Sequence, residues 1–126
     1  SARWEGFAAA EVTAKVNDLA MLNGDGNYEP GRVAEGLKCI GSFACVVDTT
    51  GIAAGVNAGE VNLGTQFKRF RVKNGIDADK LTKRGETAYV TGKRSVGKSA
   101  TGRSEGGMVA GFEGENKEYV LLYVRP

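Results

Sequence analysis

Apolar residues gather along this chain in short runs set off by glycine-rich turns, which is the pattern of strands. Residues 12–15 and 19–22 are expected as short strands joined through Asn17-Asp18. Asn23-Gly24-Asp25-Gly26-Asn27 contains both Asn-Gly and Asp-Gly, a strong hairpin signal. Tyr28-Glu29-Pro30 then begins the return strand, with Pro30 at its end or on a sheet edge because proline has no ladder donor. Residues 32–38 read as an irregular or single-turn connector. Residues 39–47 form a strong strand, with Cys39, Phe43, Cys45 and Val47 on one face and Ile40, Ala44 and Val46 on the other. Both faces are therefore expected to be partly buried. Residues 48–59 make a small-residue loop.

The second half continues the pattern. Residues 61–73 are the longest strand candidate, but Val61, Leu63 and Phe67 are out of phase with Phe70 and Val72. A bulge near Lys68-Arg69 would restore the phase and bend the strand. Asn74-Gly75 turns the chain, and 77–84 holds one helical turn ended by Gly85. Strands follow over 86–91 and 93–98, and over 107–112 with Met108, Ala110 and Phe112 on one face. The unbroken apolar run at 119–124 reads as a strand covered on both sides. The expected fold is all-β, a small barrel or sandwich of about seven to nine short strands. Residues 1–11 are expected as an extended N-terminal arm and 12–126 as a single domain. Trp4 and Phe7 in that arm are candidate interface anchors, since aromatics are favoured at protein contacts.

Composition narrows the function. Nineteen glycines against two prolines, with 41% hydrophobic residues, indicate many turns around a real core rather than disorder. A net charge of +2 gives no strong pull toward nucleic acid or an anionic membrane. No apolar run approaches the roughly 20 residues of a membrane span. The start of the chain lacks the basic-then-apolar order of a secretion signal, which points to synthesis in a cytoplasm. Cys39 and Cys45 are expected as reduced thiols, because on one strand six residues separate them by about 20 Å. With no histidine and no C-x-x-C, no metal site is expected. The same absence removes Ser-His and Cys-His nucleophile pairs. No acidic pair stands out either, so neither an enzyme nor a cofactor is expected.

Two motifs carry candidate chemistry. Gly92-Lys93-Arg94-Ser95-Val96-Gly97-Lys98-Ser99 fits the phosphate-loop pattern G-x-x-x-x-G-K-[ST]. That pattern binds nucleotide only where a helix follows, its N-terminal N–H groups facing the phosphate. Residues 100–107 hold Gly102, Gly106 and Gly107 and no helical apolar spacing, so a glycine-rich hairpin is the preferred reading over a nucleotide binder at 92–99. The Asn23–Asn27 turn is not a calcium loop, since position 34, where the ligating Glu belongs, is alanine. Residues 66–73 mix Lys68, Arg69, Arg71 and Lys73 with Phe67 and Phe70. That mixture makes single-stranded nucleic-acid binding the alternative function, weighed against a half-buried strand whose cations face water or a partner's acids.

The order of motifs in the second half resembles a known family. Phe67-Lys68-Arg69-Phe70-Arg71-Val72-Lys73-Asn74 leads to Ile76-Asp77-Ala78-Asp79-Lys80-Leu81-Thr82, then Gly85-Glu86-Thr87-Ala88-Tyr89-Val90, then Arg94-Ser95-Val96-Gly97-Lys98. Thr101-Gly102-Arg103-Ser104-Glu105-Gly106-Gly107-Met108-Val109-Ala110-Gly111-Phe112-Glu113 and Glu118-Tyr119-Val120-Leu121-Leu122 complete it. In the first half, Ala20-Met21-Leu22, Tyr28-Glu29-Pro30 and Gly36-Leu37-Lys38-Cys39-Ile40-Gly41 agree. The sequence is similar over roughly residues 12–124 to the head decoration, or cement, proteins of tailed bacteriophages. The resemblance implies a homotrimer on the virion exterior that binds the major capsid protein, staples neighbouring shell subunits, and uses no cofactor, small-molecule substrate or membrane. Trp4, Phe7, Arg69 and Arg71 are the candidate contact residues.

Overall fold

The alternating runs become strands, and the glycine-rich segments between them become turns. The structure is a computed structural model that describes residues 3–63 and 69–124, with side chains for all of these except 3–5, 58, 62–63 and 69. The described residues form twelve strands: β1 (Arg3–Phe7), β2 (Thr13–Ala14), β3 (Leu19–Leu22), β4 (Tyr28–Pro30), β5 (Lys38–Phe43), β6 (Val47–Asp48), β7 (Ala58–Leu63), β8 (Arg69–Lys73), β9 (Thr87–Gly92), β10 (Ser95–Gly97), β11 (Glu105–Glu113) and β12 (Tyr119–Tyr123). Helix among them is limited to two single 3₁₀ turns, Asp77–Asp79 and Glu115–Lys117.

The chain is therefore all-β, as its pattern indicates, but its strands outnumber the seven to nine expected. One of the additional strands is β1, which lies in the expected arm. Two expected strands also divide. The run 39–47 ends at Phe43 and resumes as β6, and 61–73 becomes β7 and β8 in different sheets. The bulge expected at Lys68-Arg69 falls partly outside the described residues. Part of the expected arm is strand as well, since Arg3–Phe7 pairs antiparallel with β7, Trp4 opposite Val61 and Phe7 opposite Ala58.

Two curved sheets result. The first runs β1-β7-β5-β3-β4, and just past β1 an isolated parallel bridge from Ala8 to Tyr28 curls it toward closure. The second is a closed five-stranded barrel, β10-β8-β12-β11-β9, in which β8 and β10 run parallel. A two-stranded ribbon joins β2 to β6 rather than β2 to β3.

Bulges decide which side chains reach which core. Ala20 opposes Gly41 while Met21 opposes Cys39, so Ile40 is the extra residue in β5. That slip separates Cys39 and Phe43, which the sequence alternation placed on one face. Cys39 joins the barrel's core cluster, and Phe43 joins Ile40, Tyr28, Val47 and Val61 in the first sheet's cluster. In β11 the register steps from Val109 to Gly111, leaving Ala110 over. Met108 is consequently exposed, Val109 is core, and Phe112 packs on the core. Along β12, Val120 and Leu122 are buried, while Tyr119, Leu121 and Tyr123 are only half-covered, so its outer side is less enclosed than the apolar run implies.

The two sheets share side chains. Leu19 and Met21 of β3 belong to the barrel's cluster, whereas Ala20 between them belongs to the other. Gly31 lies so close to β9 that a Cβ there would stand 2.4 Å from the Gly92 carbonyl oxygen. Ser104 ties the 31–37 connection to the barrel, donating to the Ala34 carbonyl at 2.6 Å and accepting from the Leu37 N–H at 3.0 Å.

Candidate functional site

The phosphate-loop lettering occupies the β9–β10 turn and the segment after it. Lys93 and Arg94 reach across to β2 and to the loop that leads into β3 of the first sheet. Lys93 Nζ donates to the Thr13 carbonyl at 2.7 Å and its own carbonyl accepts the Leu19 N–H at 2.8 Å. Arg94 Nε donates to Asp18 Oδ1 at 2.7 Å and Nη2 to the Val16 carbonyl at 2.8 Å. The Asp18 side chain is 4% exposed and also accepts the Lys15 N–H, which makes it a buried carboxylate with a charged partner. These residues clasp one sheet to the other.

The end of the motif does face an anion, and the anion belongs to the chain itself. Asp79 Oδ1 accepts the Lys98 N–H at 2.9 Å, the Ser99 N–H at 2.8 Å and Arg103 Nη1 at 2.8 Å. The Lys98 N–H is shared with the Asp79 carbonyl, also at 2.9 Å. Gly97 has to be glycine for this fit, since a Cβ there would lie 2.2 Å from Asp79 Oδ2. The Arg103 hydrogen bond above all, with those from Ser99 and Lys98, holds the Asp79 carboxyl below its ordinary value against the opposing effect of partial burial. After Ser99 the backbone turns through 101–102 into β11 and forms no helix. The dipole that a nucleotide site requires is missing.

A second bracket closes the same end of the barrel. Asn74 is buried, and its amide is fully used. Nδ2 donates to the Leu81 carbonyl at 2.9 Å and the Lys117 carbonyl at 2.8 Å, while Oδ1 accepts the Gly75 N–H at 2.8 Å and the Leu81 N–H at 2.9 Å. The helical turn expected within 77–84 forms as the 3₁₀ turn Asp77–Asp79, but it ends at Lys80 and not at Gly85, since these bonds serve the backbone of Leu81, whose side chain fills the barrel core.

The basic strand divides inside from outside. Phe70 and Val72 are core residues, so Phe70 is not available to stack on a base. Phe67 and Lys68 lie outside the described residues, as does the side chain of Arg69, whose backbone pairs with Tyr123. Arg71 is exposed, and its guanidinium lies 3.8 Å from the centre of the Tyr119 ring. In the N-terminal segment, Phe7 is 52% exposed at the end of β1, while the Trp4 side chain is outside the described ones. The structure does not gather Phe7 and Arg71 into one cluster, since they sit on different sheets.

A cleft of about 460 Å³ lies where β5 meets the barrel, lined by Leu37, Cys39, Thr87, Gly106, Met108 and Val124 among others. Burial pushes the Cys39 thiol up to about 12, so it stays protonated and unreactive at neutral pH. Glu105 and Lys38 at the rim are both exposed. Of the polar side chains that line it (Glu105, Lys38, the Thr87 hydroxyl and the inert Cys39 thiol), none hydrogen-bonds another to pair a nucleophile with a base. Among the described residues, no three Cys, Asp or Glu side chains converge to hold a metal ion.

Sequence reasoning missed Asp79, Arg103 and Asn74 as organisers. Asp79 and Arg103 are 24 residues apart, which leaves no local signal. Asn74 did carry one, as the first residue of an Asn-Gly turn. No protein-family model, no curated protein and no solved structure matches this chain.

Proposed function

We propose that this chain is a structural virion protein that binds the outer surface of a tailed-phage capsid and bridges neighbouring major capsid protein subunits. The reading rests on the resemblance of its motif order to head decoration proteins. The observation that carries it furthest is that the motifs of residues 69–122 coincide with one closed barrel, in which Asn74, Asp79 and Arg103 bond to the barrel's own segments. A module of this kind acts by adhesion and has no catalytic step.

Its chemistry is contact area. Exposed apolar residues include Phe7 at 52%, Val46 at 68%, Val56 at 66% and Ile76 at 74%. An ordinary interface would bury about 800 Å² on each partner. Many copies on one shell add by multivalent attachment, so modest individual affinity suffices. Arg71, seated over the Tyr119 ring, supplies an exposed guanidinium for a carboxylate on the shell. The protein would assemble as a homotrimer on the virion exterior after synthesis in the host cytoplasm.

The test is light scattering of the purified 13.3 kDa chain, then co-sedimentation with empty heads that lack their own cement protein. A trimer that sediments with the heads and is released by Phe7→Ala together with Arg71→Ala is the expected result. A strict monomer that stays in the supernatant would remove the proposal. Salt-sensitive binding of a single-stranded oligonucleotide in its place would favour the nucleic-acid alternative.

A further inference from the structure

The phosphate-loop lettering has a physical residue that neither nucleotide binding nor adhesion explains. Two consecutive backbone N–H groups, of Lys98 and Ser99, and one guanidinium nitrogen of Arg103 converge on a single oxygen at 2.8–2.9 Å. Successive N–H groups aimed at one point form an anion-binding concavity whether or not a helix follows. Gly97 keeps the floor of the concavity free of a side chain, and Arg103 is steadied from behind by the Ser99 carbonyl at 3.1 Å. The site lies near the surface, with the Asp79 and Arg103 side chains 29% and 19% exposed, so a small solute reaches it without the core opening.

We infer that residues 97–103 form an oxyanion-binding loop whose resident ligand is the carboxylate of Asp79, and that a free oxyanion, acetate or inorganic phosphate, takes the same place when that side chain is truncated. The wild-type protein is thus a plugged anion site. The plug serves the fold, because it fastens the 75–80 segment to the segment after β10. It also keeps solution phosphate out of a loop spelled to receive it. The pull of the donors on the carboxyl, which holds Asp79 below its ordinary value, indicates a cradle that favours negative charge. The inference does not depend on capsid binding.

Asp79→Ala in the full chain tests it by chemical rescue. Thermal midpoints are measured in acetate, in phosphate and in chloride at equal ionic strength. The variant is expected to melt below the wild type in chloride, and to gain about 4 °C when acetate or phosphate is present at about ten times its dissociation constant. Wild type and Asp79→Asn, both of which keep an acceptor oxygen in the cradle, are expected to show no such gain. Asp79→Ala combined with Arg103→Ala is expected to lose it. Where Asp79→Ala is unfolded in chloride, recovery of its β-sheet circular dichroism on adding phosphate or acetate is the same result in another readout. If neither oxyanion does more than chloride for Asp79→Ala in either readout, the inference fails. It fails equally if the double variant responds as strongly as the single one.

Discussion

Asn74 offers the sharpest test of how the barrel is closed. Its amide makes four hydrogen bonds from a buried position, two as donor to the carbonyls of Leu81 and Lys117 and two as acceptor from Gly75 and Leu81. Asn74→Asp is nearly isosteric. It keeps both accepted bonds and sets an oxygen against two carbonyl oxygens 2.8–2.9 Å away. A protonated carboxyl can still donate to one of them, so the new group is held neutral in the fold and its folded pKa is raised. The unfolded chain releases that proton near pH 3.9, and retaining it in the fold costs about 1.36 kcal/mol for each pH unit above that. The sign follows. The folded state binds more protons, so stability falls as pH rises between the unfolded and folded pKa values. Near pH 4 the variant should lie about 1 kcal/mol below wild type, the loss of one donated bond. By pH 7 the deficit should grow by up to about 4 kcal/mol, or roughly 15 °C in melting temperature for a chain of this length. Asn74→Ala, with nothing to titrate, should show a pH-independent deficit of about 2–4 kcal/mol. Urea midpoints for the three proteins at unit steps from pH 4 to pH 7 give the comparison. A deficit for Asn74→Asp that is flat across this range would refute the reasoning, since it would mean that the donors at this position are not needed.

Three further outcomes are expected. Because Asp79 has a lowered carboxyl pKa, its contribution to stability is present above its ordinary value of 3.8 and is lost as pH falls through the folded value. The wild type should therefore lose stability more steeply than Asp79→Asn in calorimetric scans below about pH 4, while Asp48, lowered in both, cancels from the difference. Gly31→Ala should cost about 1–3 kcal/mol in chemical denaturation because the Gly92 backbone cannot move aside, whereas Gly111→Ala, whose new methyl would meet Leu121 at an ordinary 3.4 Å, should cost markedly less. Mass spectrometry after brief iodoacetamide treatment of the native protein should find Cys45 modified first, with Cys39 reacting only on unfolding, since Cys39 is buried and protonated while Cys45 is partly exposed.

What could be read from the residues alone was local. The Asn23–Asn27 turn forms as its lettering requires, with Asn23 Oδ1 accepting the N–H groups of Asp25 and Asn27 and Gly26 in the left-handed region at φ +78°. Pro30 closes an edge strand, and Gly85 reverses the chain at φ +89°. Partnership was not legible. The phase break within 61–73 marked a real event, but alternation cannot say whether a strand bends or changes sheets. One extra residue at Ile40 or Ala110 inverts every face after it, and nothing in the composition of those segments announces the insertion. Arg71 was legible as an outward cation because its neighbours alternate with it. The anion in the loop was not, because it arrives from a different part of the chain.

The clasp between the sheets sets a schedule for synthesis. Asp18 finds its guanidinium only at Arg94, 76 residues further on. At ribosomal speeds of about 5–20 residues per second, that wait lasts roughly 4–15 s. Through it the nascent first sheet holds a carboxylate it cannot yet bury, with the apolar flank of β3 still uncovered, so the emerging chain is most vulnerable to sticking before the β9–β10 turn is made.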